Sequence, residues 1–269
     1  MFLAIDIGNT NITLGLFKIK NDVIDKKPFQ IWRIATSQNK TSDEYAIKIL
    51  DIFYYSKINL QQHKIKNIAI ASVVPSLDTI FADLTKKYFN IEAFFVSSKK
   101  AGGLKYKYNN PEEIGADRLA DAVAVYEIYK QSSIVIDFGT ATTFDCIDGK
   151  GCYLGGVITA GPLISAEALS KRTAKLPLVN ISKPENPIGT TTVEGIQSGL
   201  YYGYVGLIKE ILLRLKNQMK DKNIKIIATG GLSYLIAKEI KEIEAIIPEL
   251  TIEGIKIIWE KEKIAARNF

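Results

Sequence analysis

The sequence predicts an α/β fold assembled from two related halves, and three observations carry that reading. Short apolar runs of strand type alternate with segments of helical spacing along the whole chain. The opening stretch Phe2-Leu3-Ala4-Ile5-Asp6-Ile7-Gly8 returns as Ile134-Val135-Ile136-Asp137-Phe138-Gly139, with Asp137 standing 131 residues after Asp6. Both stretches are followed by hydroxyl and amide residues and then a second strand pattern. Two copies make a duplicated domain, not a solenoid, whose stacked units need about three or more to bury their faces. Two similar halves imply a cleft between them, and the expected division is 1–114 and 115–269.

The first half reads βββαβαβ. Strands are expected at 2–7 and 11–18, with a third apolar stretch from Ile31 to Ala35. Thr41 and Glu44 form a capping box ahead of Tyr45, Ile49, Ile52 and Phe53, which share one helical face. Ile68 to Val74 is a buried strand ended by Pro75, Ser76 caps a helix through Tyr88, and Glu92 to Val96 is one more strand. An irregular Gly-, Lys-, Tyr- and Asn-rich stretch at 101–114 precedes a helix from Asp117 to Tyr129. The second half continues with strands at 134–139, 142–147 and 153–159, helices at 162–171 and 192–217, a strand at 224–229 and a last helix after Ser233.

At 269 residues the chain is long enough for one large or two small domains, each with its own core. With 47% hydrophobic and 24% charged residues, it has the composition of a globular protein, not a disordered one. The net charge of +6 comes from lysines spread along the chain, such as Lys18, Lys20, Lys216 and Lys222, and reads as solvated faces. No basic stripe interleaved with aromatics appears, so no nucleic-acid partner is expected, although a positive field favours anionic substrates. A carboxylate follows four apolar residues at the N-terminus with no basic region before them, and no apolar run reaches spanning length. A cytoplasmic protein without membrane partners is the expectation. Cys146 and Cys152 flank an Asp148-Gly149 turn and read as buried small hydrophobes; with a single histidine they are too few for structural zinc.

Neither common nucleotide fingerprint, Gly-x-x-x-x-Gly-Lys-Ser/Thr or Gly-x-Gly-x-x-Gly, occurs. The repeated motif supplies another cradle. Asp6-Ile7-Gly8-Asn9-Thr10-Asn11 and Asp137-Phe138-Gly139-Thr140-Ala141-Thr142 each put a carboxylate at a strand end, then a glycine turn and short polar side chains. Glycine lets backbone N–H groups approach a phosphate, Asn and Thr add neutral donors, and the aspartates can hold cations. Neither loop contains Lys or Arg, so metal ions must balance the phosphate charge. One such loop alone would read equally well as an ordinary hairpin turn. Two at matching positions favour function. Thr229-Gly230-Gly231, after an apolar strand and before a helix, is a third place where backbone can approach a nucleotide. His63 lies in a polar loop away from every motif, which argues against a phosphohistidine intermediate.

These three elements, in this order, resemble the phosphate 1, phosphate 2 and adenosine motifs of the superfamily of acetate and sugar kinases, heat-shock chaperones and actin. The resemblance implies two duplicated actin-like (ribonuclease H-like) domains with an interdomain nucleotide cleft. Within that superfamily, Tyr108-x-Asn110-Pro111-x-Glu113-x-Gly115-Ala116-Asp117-Arg118 is similar to the type III pantothenate kinase family. So are Ser72-Val73-Val74-Pro75, Gly155-Gly156 with Gly161-Pro162, and Gly189-x-x-Thr192-Val193-Glu194-x-x-Gln197-Ser198-Gly199.

The family resemblance implies ATP-dependent phosphorylation of the pantothenate hydroxyl, the first step of coenzyme A synthesis, in a cytoplasmic homodimer that uses Mg2+ and a monovalent cation, K+ or NH4+. Carried over residue by residue, Asp117 is the catalytic base, and Tyr108, Gly115, Ala116, Asp117, Arg118 and Thr192 contact pantothenate. Asp137 binds the monovalent cation, and Asp6, Ile7, Gly8, Asn9, Thr10, Asn11, Ile12 and Thr13 bind ATP with Thr140. A carboxylate in the first turn of a helix is stabilised as an anion by the helix dipole, which suits receiving a proton from the attacking hydroxyl. A guanidinium at Arg118 can grip the pantothenate carboxylate in two-pronged fashion. Other readings of the same residues are a phosphatase or another small-molecule kinase of this fold, a non-catalytic regulatory relative, and a filament-forming protein.

Overall fold

The computed structural model describes residues 1–60 and 62–267; the last two positions of the expected second half, 268 and 269, lie outside them. The chain forms two compact units, Met1–Leu104 with Asn109–Ala124 and Glu249–Phe269, and Lys105–Tyr108 with Val125–Pro248. The division therefore differs from a single cut after 114, because the C-terminal segment belongs with the first unit.

In the first unit β1 (Phe2–Ile7) and β2 (Asn11–Phe17) form a hairpin, followed by the small pair β3 (Ile19–Lys20) and β4 (Val23–Ile24), and then β5 (Gln30–Ala35). Helix α1 (Ser42–Tyr55), β6 (Asn67–Ser72), α2 (Pro75–Phe89) and β7 (Phe94–Phe95) complete the alternation. The sheet order is β5-β2-β1-β6-β7, antiparallel on the β2 side of β1 and parallel on the β6 side. Strand residues alternate faces. Leu3, Ile5 and Ile7 therefore join the core under α1 and α2 with Tyr45, Ile49, Leu77 and Phe81. Phe2 faces the other way, its ring 5.1 Å from that of Trp259. Asp6 shares the parity of Phe2.

The second unit repeats this plan. After β8 (Lys105–Tyr106) and α3 (Ala116–Tyr129), which begins in the first unit, come β9 (Ser133–Phe138), β10 (Ala141–Ile147) and β11 (Cys152–Ala160). Helices α4 (Pro162–Arg172) and α5 (Thr192–Met219) lead to β12 (Lys225–Thr229), a short α6 (Ser233–Ile236) and β13 (Ala245–Ile246). The order β13-β12-β9-β10-β11-β8 is that of the first sheet with β8 added at the edge. β1 and β9 even share one burial pattern, buried at every position except the aspartate. Near-continuous burial is what strands covered on both faces require. Ile134, Ile136 and Phe138 pack with Tyr201, Val205, Ile208 and Leu212 of α5.

Several expectations need correction. No side-chain bond caps α2, which starts at Pro75 with Val74 before it, because proline at the first helical position needs no donor and presets φ. Ser76 is thus inside the helix. The segment after Ser233 is not one long helix: α6 passes into a 3-10 turn at Ala237–Glu239, then β13, and Pro248 precedes α7 (Leu250–Arg267), which the sequence reading missed. β8 lies in the stretch expected to be irregular. The Thr41–Glu44 capping box forms as expected, and Cys146 and Cys152 are buried thiols.

Candidate active site

The first loop is a tight hairpin end. Gly8 N–H donates to the Asn11 carbonyl at 3.0 Å, and a Cβ on Gly8 would stand 3.0 Å from that same oxygen. Thr36 braces the loop twice, its hydroxyl donating to the Gly8 carbonyl at 2.6 Å and its N–H to the Thr10 carbonyl at 3.0 Å. Asn9, Thr10 and Asn11 are exposed, Asp6 and Thr13 are half-buried, and Ile7 and Ile12 are fully buried. The two isoleucines thus face the core, and only their backbone can meet a ligand.

Val73 lies beside both this loop and Gly115. Its N–H donates to the Ile7 carbonyl at 3.0 Å, and its Cγ1 would be 3.2 Å from a Cβ built on Gly115. That same Cβ would lie 2.5 Å from Asp117 Oδ1, so a glycine at 115 leaves the carboxylate its room. Asp117 sits in the first turn of α3 and accepts the Arg118 N–H on Oδ1 at 2.7 Å. Ala116 and Arg118 are buried, the guanidinium-bearing residue at only 8% exposure. The Ser72-Val73-Val74-Pro75 segment therefore lies between the 8–11 loop and the residue before the start of α3.

In the second unit the equivalent hairpin is shorter. Three residues, 139–141, separate the pair Phe138–Thr142, against four, 8–11, between Ile7 and Ile12. Gly161 packs on this turn and its N–H donates to the Thr140 carbonyl at 3.1 Å; a side chain there would collide with the carbonyls of 139 and 140. Gly230, at φ +87°, lies against the Asp137 carboxylate. Thr140 is exposed and Asp137 half-buried.

Tyr204, on α5, was not singled out by sequence because its spacing is that of an ordinary core position. Its hydroxyl shares a short hydrogen bond with the Thr142 hydroxyl. Burial pushes its pKa up to about 12, with the Asp137 charge acting in the same direction and the Thr142 bond opposing it. Thr192 is the exposed first residue of α5, set by a capping box in which Glu194 N–H donates to Thr191 Oγ1 and Thr191 N–H donates to Glu194 Oε2. Hydrogen bonds from Thr190 and Thr191 hold the Glu194 carboxyl below its usual pKa. Tyr108 is half-buried over Gly155, edge-on to Tyr153 at 5.9 Å between ring centres.

Among the described residues no group of three or more His, Cys, Asp or Glu side chains could hold a metal alone. The residues present nonetheless fit a metal–nucleotide pair. A small hard divalent ion takes one or two carboxylates and fills its remaining positions with phosphate oxygens and water, and each loop offers one aspartate beside a glycine turn and hydroxyls.

A family model for type III pantothenate kinase matches residues 2–214. The chain is also 52% identical over 261 residues to a type III pantothenate kinase of Endomicrobium trichonymphae, covering 97% of this chain and 99% of that one. The chain belongs to the type III pantothenate kinase family. A second relative of this kinase, from Geobacter sulfurreducens, is 45% identical and covers 98% of this chain and 100% of its own. Among solved structures, a Listeria monocytogenes protein proposed to be an N-acetylmannosamine kinase aligns with a TM-score of 0.53 at 11% identity, covering 97% and 99% of the two chains. That likeness concerns the fold, the duplicated actin-like α/β arrangement. The kinase uses ATP and a divalent metal, as its family membership entails. Among the described residues no helix is long and apolar enough to cross a membrane.

Proposed function

We propose that Asp117 is the base in the reaction that names the family, the ATP-dependent phosphorylation of pantothenate to 4'-phosphopantothenate that opens coenzyme A synthesis. The observation that carries this reading is the arrangement around Val73. One carboxylate is oriented by the Arg118 N–H and given space by Gly115, which lies beside Val73, and the Val73 N–H is bonded to the Ile7 carbonyl just before the loop that begins at Gly8.

In the proposed step the pantothenate hydroxyl oxygen attacks the γ-phosphorus in line, its proton passes to Asp117, and the bond to the bridging oxygen breaks to release ADP. Phosphoryl transfer of this kind passes through a loose transition state, so positioning and charge supply most of the acceleration. The first helical turn favours the ionised form of Asp117, ready to take the proton as the hydroxyl oxygen shares its lone pair with phosphorus. Bound magnesium would offset the negative charge on the phosphate oxygens. Asp6, Gly8, Asn9, Thr10, Asn11 and Thr13, the backbone of Ile7 and Ile12, and Thr140 bind ATP. Tyr108, Gly115, Ala116, Arg118 and Thr192 contact pantothenate, Arg118 through its carboxylate. Asp137 holds K+ or NH4+.

The same reading makes the protein a cytoplasmic homodimer. Exposed Leu163 and Leu169 on α4, with Leu178 and Ile188 beyond it, support an apolar contact with a second copy. The test is ADP release from Mg-ATP with and without pantothenate, in potassium and then in sodium buffer. Release that needs both pantothenate and potassium supports the assignment; release indifferent to potassium removes the monovalent cation from Asp137.

A further inference from the structure

We propose that a basic cavity at the Met1 end of β1 is a second binding site, one that takes a phosphorylated small molecule with an apolar or ring-shaped body. The cavity has a volume of about 810 Å³, within the range of small-molecule sites. Five lysines line it: Lys18, Lys20, Lys57, Lys64 and Lys66. Among the described residues no carboxylate does. Some surface lysines elsewhere are matched, as Lys87 is by Asp43 at 2.7 Å and Lys183 by Glu239 at 2.6 Å. Among the described residues none of the five has such a partner.

Backbone hydrogen bonds bring them together. Lys18 and Lys20 come from the β2–β3 corner, where the Lys18 carbonyl accepts the Asp25 N–H at 3.0 Å. Lys57 follows α1 in a left-handed conformation, φ +59°, with its N–H donating to the Tyr54 carbonyl. Lys66 N–H donates to the Met1 carbonyl at 2.8 Å, fixing the 62–66 segment beside the first strand. Ile19, Phe29 and Ile58 supply an apolar wall, and the Lys18 ammonium lies 4.9 Å from the Phe29 ring centre. A concave low-dielectric wall under a rim of one sign focuses the field and concentrates anions. Each lysine alone would be worth little; convergence gives the site its selectivity for several negative charges on one ligand.

This cavity is separate from the ATP loop. β1 runs from it to Asp6, and five residue steps at roughly 3.3 Å each place the two ends about 17 Å apart. Among the described residues of its lining Phe29 and His63 are the two aromatic rings, too few for the run of stacking platforms that single-stranded nucleic acid uses.

Pyridoxal 5'-phosphate is the probe for this site. Its aldehyde condenses with a lysine Nζ, releasing water, and borohydride then delivers hydride to the imine carbon to leave a stable secondary amine. With the intact protein and equimolar probe, label on the five cavity lysines is expected to exceed that on Lys220 and Lys222 by about tenfold, and inorganic pyrophosphate is expected to compete for it. Even labelling across all these lysines would overturn the proposal. The double variant K18E/K64E is expected to lower label on Lys20, Lys57 and Lys66 by about fivefold, with pantothenate-dependent turnover unchanged; undiminished label would also overturn it. An oligonucleotide that protects the five lysines where pyrophosphate fails would replace the small molecule with nucleic acid.

Discussion

Gly230 sets its α-carbon against the Asp137 carboxylate so closely that no side chain fits between them. Its φ is +87°, and a Cβ would meet Asp137 Oδ1 and stand 2.7 Å from the backbone N and C of Phe138. Gly230→Ala must therefore distort the β9–β10 turn or accept a left-handed alanine at a cost of about 1–3 kcal/mol. Turnover is expected to fall by at least about tenfold, with a lower melting temperature. Gly231→Ala is the control, because nothing lies within 4 Å of its added Cβ. Steady-state ADP release and thermal melting of the two variants decide the matter, and equal behaviour would show that Gly230 does not position Asp137.

Asp117→Asn keeps an oxygen at Oδ1 to accept the Arg118 N–H, so the start of α3 should survive the change. The substitution removes proton acceptance, which contributes about 10²–10⁴-fold in enzymes that use a general base. Turnover should drop by that order while pantothenate and ATP binding and the melting temperature hold. Retained turnover would give the role of base to another group.

Thr191→Ala should loosen the beginning of α5. It removes the acceptor of the Glu194 N–H, at a cost of about 1 kcal/mol. Thr192 is the next residue, so KM for pantothenate should rise with little change in kcat. A variant with unchanged KM would take Thr192 out of pantothenate binding.

Much of the fold was legible because its strongest signals are local. The Asp-x-Gly repeat marks the same hairpin in both sheets, and the Thr41–Glu44 box, Pro162 and Thr192 fall at or beside helix starts as composition suggests. What stayed hidden depends on tertiary packing. Helix α7 is amphipathic but follows β13, a strand of only two residues, and its small Gly254 acquires meaning only against the backbone of Ala120. Thr36 reads as a strand-end residue until its hydroxyl is seen to bond the Gly8 carbonyl. The packing need for Gly115 is likewise invisible in isolation, since its lack of a side chain matters only against the Asp117 carboxylate two residues on and Val73 forty-two residues back.

Glu253 offers a test of the first unit's packing. It is 7% exposed on α7, and burial raises its pKa, with Glu249 adding to the rise and Lys27 and Lys256 opposing it. A carboxyl whose folded pKa is raised favours the folded state below its unfolded pKa and loses that contribution as pH climbs through the folded value. Glu253→Gln should therefore melt higher than the parent near pH 8, and the gap should shrink as pH falls toward 4.5. A gap independent of pH would mean that the buried carboxylate carries no charge penalty.

Tyr204→Phe separates two contributions of one hydroxyl. At neutral pH the variant leaves the fully buried Thr142 hydroxyl without its Tyr204 partner, which should cost about 1 kcal/mol. At high pH the parent itself weakens. An unfolded tyrosine loses its proton near pH 10, whereas in the folded chain burial moves Tyr204 to about 12. The folded state thus binds a proton that the unfolded state has released, so the contribution is full below pH 10 and disappears as pH rises through 12. Over that window the parent should lose about 2–3 kcal/mol that Tyr204→Phe does not lose, about half of it by pH 11. Denaturant unfolding of both proteins at pH 8, 10 and 11 measures the difference, and because all other tyrosines and lysines are common to the two chains, their titration cancels. Parallel pH profiles would mean that Tyr204 titrates as an exposed phenol, and would remove the electrostatic link between α5 and the Asp137 turn.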